Sequence, residues 1–242
     1  MSYNTRIKAK EMKHTDLKKE IRYFNDMHIQ PLIANDDFLR LNMYNFIRNQ
    51  FKSEAQKLQP IGTGKLDFTN VYNMSNAWDY VLTHMHNKID IHEIRNINDI
   101  ISKNNAEDIT GGAFRYSFVN VLGQPATEPT RIYDSLDNAI YKMNSTSDSI
   151  LTRAFNIHYD IITIQPFSDF NKRTARIVMN WFLLQNNYTP ILFNHKGDNT
   201  EYVASMKSRL NNTDSKAYTL YMCDRMHKTQ FMILRMLRAR IH

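Results

Sequence analysis

Two helical segments are joined by the twelve residues Gln165-Pro166-Phe167-Ser168-Asp169-Phe170-Asn171-Lys172-Arg173-Thr174-Ala175-Arg176. Before them, apolar residues recur at helical spacing over 149–164, and after them they do so again over 173–185. Because the residue before a proline avoids helical geometry, the first helix should end at Gln165. The sequence therefore predicts a helix–loop–helix unit whose short loop runs from Pro166 to Lys172.

The loop has the features of an anion-binding site. The first turn of a helix carries unpaired N–H groups and partial positive charge, and the loop brings Phe170, Asn171 and Lys172 into that turn. Arg173 and Arg176 lie three residues apart, on one side of the helix. Since the helix dipole disfavours cations at this end, we expect an anion such as a phosphate chain to compensate them.

A carboxylate and an amide accompany these cations. Asp169 could bind a Mg²⁺ ion that bridges phosphate oxygens. Asn171 could cap the helix, or contact the metal or a phosphate. A purely structural alternative is an N-capped helix in which Asp169 pairs with Arg173.

Histidines elsewhere in the chain do not add a second site. Three histidines, His84, His86 and His92, are not expected to form a metal site. Residues two apart on a helix face different sides, and no cysteine completes a ligand set. His158 lies seven residues before Gln165, about 10 Å along a helix axis. We therefore expect His158 to be a core or surface residue rather than a proton acceptor.

Composition indicates a helical, soluble protein. The chain has 242 residues, 42% of them hydrophobic, with six Gly and six Pro, which favours long helices over a turn-rich sheet protein. The single Cys223 excludes an intrachain disulfide. The first 20 residues contain no apolar stretch for a secretory signal, and no run approaches the roughly 18 apolar residues of a membrane span. The expected location is the cytoplasm.

The formal charge of +7 favours phosphate-bearing or acidic partners. Basic residues crowd both ends of the chain, where we interpret them as solvated helix faces: Arg6, Lys8, Lys10, Lys13, Lys18 and Lys19, then Arg225, Lys228, Arg235, Arg238 and Arg240. Aromatic residues do not interleave with them, and no nucleic-acid-binding module is recognisable. A nucleic acid is therefore not the expected partner.

The remaining pattern predicts an all-α protein with a small β excursion. Further helices are expected at Asn73–His86, Ile89–Ile101 and Ala217–Arg240. The clearest linker is 59–64, where proline and glycine break the pattern. Ala113–Leu122 favours short extended segments closed by Gly123-Gln124-Pro125, which would form a hairpin or an irregular loop.

The twelve-residue segment resembles the signature of the Fic/Doc (Fido) family. That signature reads His-Pro-Phe-x-Asp/Glu-Gly-Asn-Gly-Arg in the Fic branch and is closer to His-x-Phe-x-Asp-Ala-Asn-Lys-Arg in the Doc branch. The Fic form is matched at five positions: Pro166, Phe167, Asp169, Asn171 and Arg173. Lys172, Thr174 and Ala175 resemble the Doc form, and Arg176 falls on the second arginine often seen one turn later.

The resemblance covers about residues 70–210 and includes the flap entry Gly112-Ala113-Phe114-Arg115. It implies a Fic-type helical core with a small β-hairpin flap. The expected division is an N-terminal helical extension at 1–60, a core domain at 61–215, and a C-terminal helix packed on the core at 216–242. Each boundary is an expectation from the sequence.

The resemblance also implies a function. Members of the family transfer part of a nucleotide, most often AMP from ATP, to a hydroxyl of a target protein, whereas the Doc branch transfers the terminal phosphate. ATP and Mg²⁺ are the implied cofactors, and a nucleotide and a target protein are the implied partners. The flap would hold a target segment by strand addition through four residues: Phe118, Val119, Asn120 and Val121.

Roles at the loop follow from the same resemblance. Asp169 would hold Mg²⁺, and Asn171 would orient the metal and the phosphates. The backbone around Phe170 and Lys172 would form the anion nest. Arg173 would contact the phosphates, and Arg176 would contact the distal end of the phosphate chain.

Gln165 stands where the family has the histidine that acts as general base. A carboxamide cannot accept a proton near neutral pH, and loss of a general base costs on the order of 10²–10⁴ in rate. Phe170 and Lys172 add bulk where the Fic branch has glycine. No inhibitory helix of the Ser/Thr-x-x-x-Glu-Gly/Asn type is found, although a separate antitoxin could supply such a regulator.

Three hypotheses result from these features. The first is a transferase whose activity is impaired or redirected by Gln165. The second is a catalytically inactive Fic-fold protein that binds a nucleotide or a protein partner. The third is a basic protein associated with nucleic acid, which strong, salt-sensitive DNA binding would favour.

Overall fold

The computed structural model describes residues 44–49, 68–104, 110–145, 147–193, 198–211 and 215–241. The predicted extension at 1–60 lies outside these ranges except for helical residues 44–49, and the predicted linker at 59–64 lies outside them entirely. Among the described helices, none is both long and apolar enough to cross a membrane. The proposed domain boundaries stay predictions.

The described part of the chain is mainly helical, as predicted. Its principal helices are α1 (Phe68–Thr83), α2 (Ile91–Ser102), α3 (Ile132–Ser145), α4 (Ile150–Ile164), α5 (Asn171–Gln185), α6 (Asp198–Leu210) and α7 (Ser215–Ile241). A short 3₁₀ turn at Pro129–Arg131 precedes α3. A two-stranded antiparallel sheet of β1 (Asn120–Val121) and β2 (Gln124–Pro125) completes the fold. The predicted combination of a helical body with a small β-hairpin is confirmed.

Helices α4 and α5 form the centre of the molecule. Their mutual interface is the most extensive between any two described elements, and α3, α2 and α1 pack around them. The residues predicted to face the core from α5 are all buried: Ile177, Val178, Trp181, Phe182 and Leu184. Burial of side chains this large supplies about 1.5–3 kcal/mol each, which fixes the two helices on either side of the predicted loop.

The ends of α4 follow from local hydrogen bonds. Ser149 is the N-cap, and its hydroxyl accepts a hydrogen bond of 3.1 Å from the Thr152 N–H. At the other end, Gln165 adopts a left-handed backbone conformation and its N–H still reaches Ile161 O, so the helix ends before Pro166 as predicted.

The hairpin differs in position from the prediction. Gly123-Gln124-Pro125 was expected to close the extended segment, but Gln124 and Pro125 form the second strand and pair with Val121 and Asn120. The reversal occurs at Leu122 and Gly123, which both have positive φ angles, of 54° and 88°. Two consecutive residues with positive φ make the tight turn that suits the twist of two antiparallel strands.

Helix positions also needed correction. Helix α1 runs over Phe68–Thr83 rather than Asn73–His86, and α5 begins at Asn171 rather than near Arg173. Helices α3 and α6 were not predicted. The signal for α3 was present, because its buried residues recur at helical spacing: Ile132, Leu136, Ala139, Ile140 and Met143.

The segment that follows α5 is held by one buried amide. Asn180 is fully buried; its Nδ2 donates to Ile191 O at 3.0 Å, and its Oδ1 accepts from Ile191 N at 2.8 Å. This pair of hydrogen bonds mimics a strand pairing and fastens 190–192 against the central helix. Tyr188-Thr189-Pro190-Ile191 is thereby fixed without a strand.

Replacing Asn180 by alanine tests this attachment. We expect Asn180→Ala to lower the free energy of unfolding by about 2–4 kcal/mol, because two buried backbone groups of Ile191 lose their partners. Asn138→Ala is the control, since Asn138 lies exposed on α3 and its change should stay within about 0.5 kcal/mol. Urea denaturation measures both values, and equal effects would contradict this account.

Candidate functional site

The loop between α4 and α5 begins and ends with residues in left-handed conformation. Gln165 has φ 49° and ψ 61°, and Phe170 has φ 62° and ψ 10°. For residues other than glycine this conformation costs about 1–2 kcal/mol, because Cβ crowds the following carbonyl. The surrounding contacts must therefore hold both turns in place.

Asn171 is the principal brace of the loop. It is 4% exposed, and its Oδ1 accepts a hydrogen bond of 2.9 Å from Phe167 N. Its Nδ2 donates to Phe167 O at 2.8 Å and to Gln165 Oε1 at 3.0 Å. Since both amide hydrogens bind inside the protein, Asn171 acts as a support in this structure. The prediction that it contacts a phosphate or a metal stays untested.

The side chain of Gln165 is bound within the protein at both polar atoms. Its Oε1 accepts from Asn171, and its Nε2 donates to Ile162 O at 2.7 Å. The amide thus bridges the last turn of α4 to the first residue of α5. A carboxamide in this position stabilises the loop but offers no basic atom to a substrate hydroxyl.

Three cations gather at the start of α5. The helix has no acidic residue in its first turn, and its N-cap Phe170 supplies no side-chain hydrogen bond to the first N–H groups. Partial burial of Lys172 lowers its pKa, and the charges of Arg176 and Arg173 lower it further, although the side chain still reaches solvent. Burial lowers the pKa of Arg173 too; nearby Asp169 raises it and Arg176 lowers it. Mutual repulsion of these groups is what a bound anion would relieve.

The two arginines lie against different aromatic rings. The guanidinium carbon of Arg173 lies 5.1 Å from the centroid of Phe170, at the loop. Arg176 is 8% exposed, and its guanidinium carbon lies 4.1 Å from the centroid of Phe193 and 5.7 Å from that of Tyr202. Arg173 is therefore the arginine nearer to the loop surface, whereas the predicted contact of Arg176 with a distal phosphate stays untested.

Asp169 is exposed at the loop surface, where a cation can reach it. One carboxylate oxygen accepts a hydrogen bond of 2.6 Å from Phe170 N, which leaves further acceptor positions on the carboxylate. Within the described ranges, no group of three His, Cys, Asp or Glu side chains lies close enough to hold a metal ion. Mg²⁺ commonly binds through one or two carboxylates together with substrate phosphates, so Asp169 suits a metal that arrives with its nucleotide.

His158 is a core residue. It is fully buried and stacked on Phe193, and its Nδ1 lies 2.7 Å from the hydroxyl of Tyr218. Because that hydroxyl donates to Phe155 O, we assign the hydrogen of the imidazole to Nδ1. Burial, followed by the charges of Arg176, Arg209 and Lys172, lowers the pKa of His158 well below its usual value. It is neutral at physiological pH and cannot replace the missing base at the loop.

The predicted flap residues have different environments. Phe118 is 80% exposed, Asn120 is exposed in β1, and Val121 is buried against the core. The carbonyl of Val119 accepts a hydrogen bond of 3.0 Å from Ala126 N. The neighbouring Tyr116 is 92% exposed and was missed as a surface aromatic by sequence reasoning.

Two buried polar residues that sequence reasoning did not assign a role connect the flap to the loop. Asn98 of α2 donates to Asp169 O at 3.1 Å, and Arg115 of the flap donates to Gln165 O at 2.6 Å. An isolated bridge between Phe114 and Phe167 adds to this connection. These contacts place residues 112–115, here called the flap base, beside the loop.

The fold and the site together define a class: helical proteins in which a short loop joins two central helices beside a small hairpin, and the second of these helices begins with a cluster of cations. Residues 88–183 match the family described as "Fic/DOC family", and this part of the chain belongs to that family. The protein is similar to the protein adenylyltransferase Fic of Drosophila melanogaster, with 28% identity over 171 residues, which cover 67% of this chain and 34% of the relative. A second relative of the same name, from Aedes aegypti, is 28% identical over 52% of this chain and 26% of its own length. The chain thus spans about a third or less of the curated relatives that it matches.

A solved structure of a Fic-1 fragment from C. elegans (residues 134–508) shares this fold. Its TM-score is 0.68 at 19% sequence identity, over 93% of this chain and 73% of that one. At this identity the comparison establishes the fold alone.

Glycine and alanine at position 170 test the left-handed N-cap. We expect Phe170→Gly to be more stable than Phe170→Ala by about 1 kcal/mol, because both remove the ring but only glycine adopts positive φ without strain. Asn138→Gly and Asn138→Ala form the control pair. In the middle of α3 the order should reverse by a similar amount. Thermal unfolding measures the stability of each variant. Equal stability of Phe170→Gly and Phe170→Ala would contradict backbone strain at position 170.

The lowered pKa of Lys172 predicts a pH dependence. The charged form is disfavoured in the folded protein, so folding stability is reduced below the lowered pKa and rises as pH increases through it toward the unfolded value of 10.5. We expect Lys172→Met to raise stability by about 0.5 kcal/mol near neutral pH and to weaken tripolyphosphate binding about fivefold. Lys88→Met, at an exposed site away from the loop, is the control. Titrations at several pH values measure both quantities, and tripolyphosphate binding that is unchanged by Lys172→Met would contradict the prediction.

Proposed function

We propose that this protein binds a nucleoside polyphosphate at the loop between α4 and α5 and transfers AMP to a protein hydroxyl with impaired efficiency. The observation that carries this proposal is the cluster of cations at the start of α5, which includes Lys172 and Arg173 and has no acidic residue in the first helical turn. Unpaired N–H groups and the helix dipole add to the same positive potential. A phosphate chain fits this chemistry better than a neutral ligand does.

Asp169 and Arg173 are the residues that we assign to the nucleotide. Asp169 would hold a Mg²⁺ ion, and this ion would neutralise charge that develops during transfer. Arg173, stacked on Phe170 at the loop, would contact the phosphates. Asn171 would serve mainly by holding the loop, since its amide is hydrogen-bonded to Phe167 and Gln165.

Impairment follows from Gln165. Its amide cannot take the proton of an attacking hydroxyl, and His158 is neutral, buried and bound to Tyr218. Nucleotide transfer depends largely on positioning and charge stabilisation, so reduced activity remains compatible with a missing base. The named activity of the relatives, protein adenylyltransferase, supports AMP as the transferred group.

A catalytically inactive binding protein is the second candidate. The hydrogen bonds of Gln165 to Ile162 O and Asn171 favour it, because they give the glutamine a supporting role that does not require catalysis. Under this alternative the loop still binds a nucleotide, and the flap serves a protein partner. The two candidates therefore share nucleotide binding and differ in chemistry.

The flap is the proposed site for a protein target. Its short strands leave edges for an added strand, and Tyr116 and Phe118 are exposed beside them. Among structures with this fold, IbpAFic2 has been solved covalently tethered to Cdc42, with a TM-score of 0.64 and 13% identity over 91% of this chain and 72% of that one. That complex is a precedent for a protein target of this fold.

Restoring histidine at position 165 tests the proposal. Histidine tolerates the left-handed conformation better than most residues, so Gln165→His should fold. We expect it to increase transfer of label from α-labelled ATP to a protein acceptor by about 10²–10⁴ relative to the unmodified protein. Label from γ-labelled ATP should not be transferred.

Two controls complete this experiment. The double variant Gln165→His/Arg173→Ala should lose the gained activity, and calorimetry should show Mg-ATP binding to the unmodified protein. Binding without any gain in Gln165→His would favour the inactive binding protein. Absence of nucleotide binding in every variant would reject both candidates.

A further inference from the structure

Arg115 is a buried arginine whose hydrogen bonds all reach main-chain carbonyls in two separate parts of the molecule. It is 3% exposed. In the flap it donates to Ser117 O at 2.5 Å and to Thr127 O, which lie before β1 and after β2. At the end of α4 it donates to Gln165 O at 2.6 Å and to Ile164 O at 3.1 Å.

The chemistry of a guanidinium explains this arrangement. Its five N–H groups form a rigid, planar fork, so one side chain can satisfy several acceptors at fixed angles. The last carbonyls of a helix lack intrahelical partners and carry partial negative charge, which favours a cation at this end of α4. Arg115 therefore caps α4 and joins both arms of the flap at the same time.

The main chain of the same segment repeats the connection. Arg115 N donates to Pro166 O at 3.0 Å, and the rings of Phe114 and Phe167 lie 5.9 Å apart between centroids. The flap base thus runs alongside the first half of the loop, directly beside Gln165.

Asn98 makes an equivalent connection to the second half of the loop. It is 1% exposed, its Oδ1 accepts from Gly112 N at 3.0 Å, and its Nδ2 donates to Asp169 O and to Thr174 Oγ1, each at 3.1 Å. Gly112 has φ 67°, and a Cβ there would lie 2.7 Å from Arg95 O. The chain therefore passes so close to α2 that only glycine fits at this position. One end of the flap base is thereby fixed to Asp169.

We propose that Arg115 is a positioning residue that holds the flap at a fixed separation from Gln165 and the anion site, with Asn98 as its second anchor. This inference rests on the proposed function for its consequence: a target segment on the flap would present its hydroxyl at a constant distance from the bound phosphates. In this proposal Arg115 has no direct contact with the phosphates or with the target segment. It acts through the carbonyls of the loop and the flap.

The test combines distance measurements with Arg115→Lys. Lysine keeps the positive charge but cannot reach four carbonyls from one ammonium, so the flap should lose its fixed position. Nitroxide labels at His92→Cys in α2 and Gln124→Cys in β2, both exposed sites, report the separation in a Cys223→Ala background. We expect a narrow distance distribution for the parent and a broad one for Arg115→Lys. The matched control is Arg131→Lys, at an exposed arginine just beyond the flap, which should leave the distribution narrow.

Kinetics separate positioning from simple stability. In the Gln165→His background, Arg115→Lys should lower kcat/KM for the protein acceptor by about 10- to 100-fold, while the Kd for Mg-ATP stays within about twofold. An unchanged distance distribution, or a broad one with unchanged kcat/KM, would overturn the proposal. If Gln165→His is inactive, the proposed function fails, and the distance measurement still decides whether Arg115 fixes the flap.

A measurement on the unmodified protein covers the case in which Arg115→Lys does not fold. The amides of Gly112 and Arg115 should exchange their hydrogens at least about 100-fold more slowly than an unstructured chain, because both donate to the buried connection. Exchange at the rate of an unstructured chain at these two amides would overturn the proposal by itself.

Discussion

The site depends on the turn by which the chain passes from α4 to α5 through two left-handed residues without glycine. Gln165 and Phe170 hold this conformation because Asn171, almost fully buried, binds Phe167 on both main-chain polar atoms and Gln165 on its side chain. The energy of this brace comes from hydrogen bonds in a region with little water, where an unpaired amide would be costly. Contacts within the protein thus hold the loop in this conformation without a ligand.

The same turn concentrates positive charge. It leads directly into α5 and places Lys172 and Arg173 within the first turn of that helix, which contains no acidic residue. Cations at this end of a helix reduce stability. Burial, followed by the charges of Arg176 and Arg173, lowers the pKa of Lys172. The braced loop and the clustered cations both favour the proposed anion site, since neither has to be created when a ligand arrives.

The central helices and the loop could be predicted from sequence because their signals are local. Pro166 marks the end of one helix, and a regular apolar spacing defines the next. The position of the hairpin was predicted wrongly because Leu122 in its turn has a positive φ angle, which the sequence pattern does not suggest for a leucine. The contacts of Asn98 and Arg115 with the loop and its two helices were missed for another reason: they join residues about 50 to 76 positions apart, and a single sequence contains no record of such pairs. The surroundings of Arg176 likewise depend on Phe193 and Tyr202, which tertiary packing brings to it.

Gln165 shows how the support of a site can be independent of its chemistry. Its carbonyl oxygen accepts from Arg115, its amide oxygen accepts from Asn171, and its amide nitrogen donates to Ile162 O. These contacts need a polar side chain of suitable length but no titratable group. A residue at this position can therefore lose proton transfer while the loop, the flap base and the cations keep their relative positions. Because binding of a phosphate chain would depend on those positions and not on a base, the proposed nucleotide affinity and the proposed transfer rate should be separable.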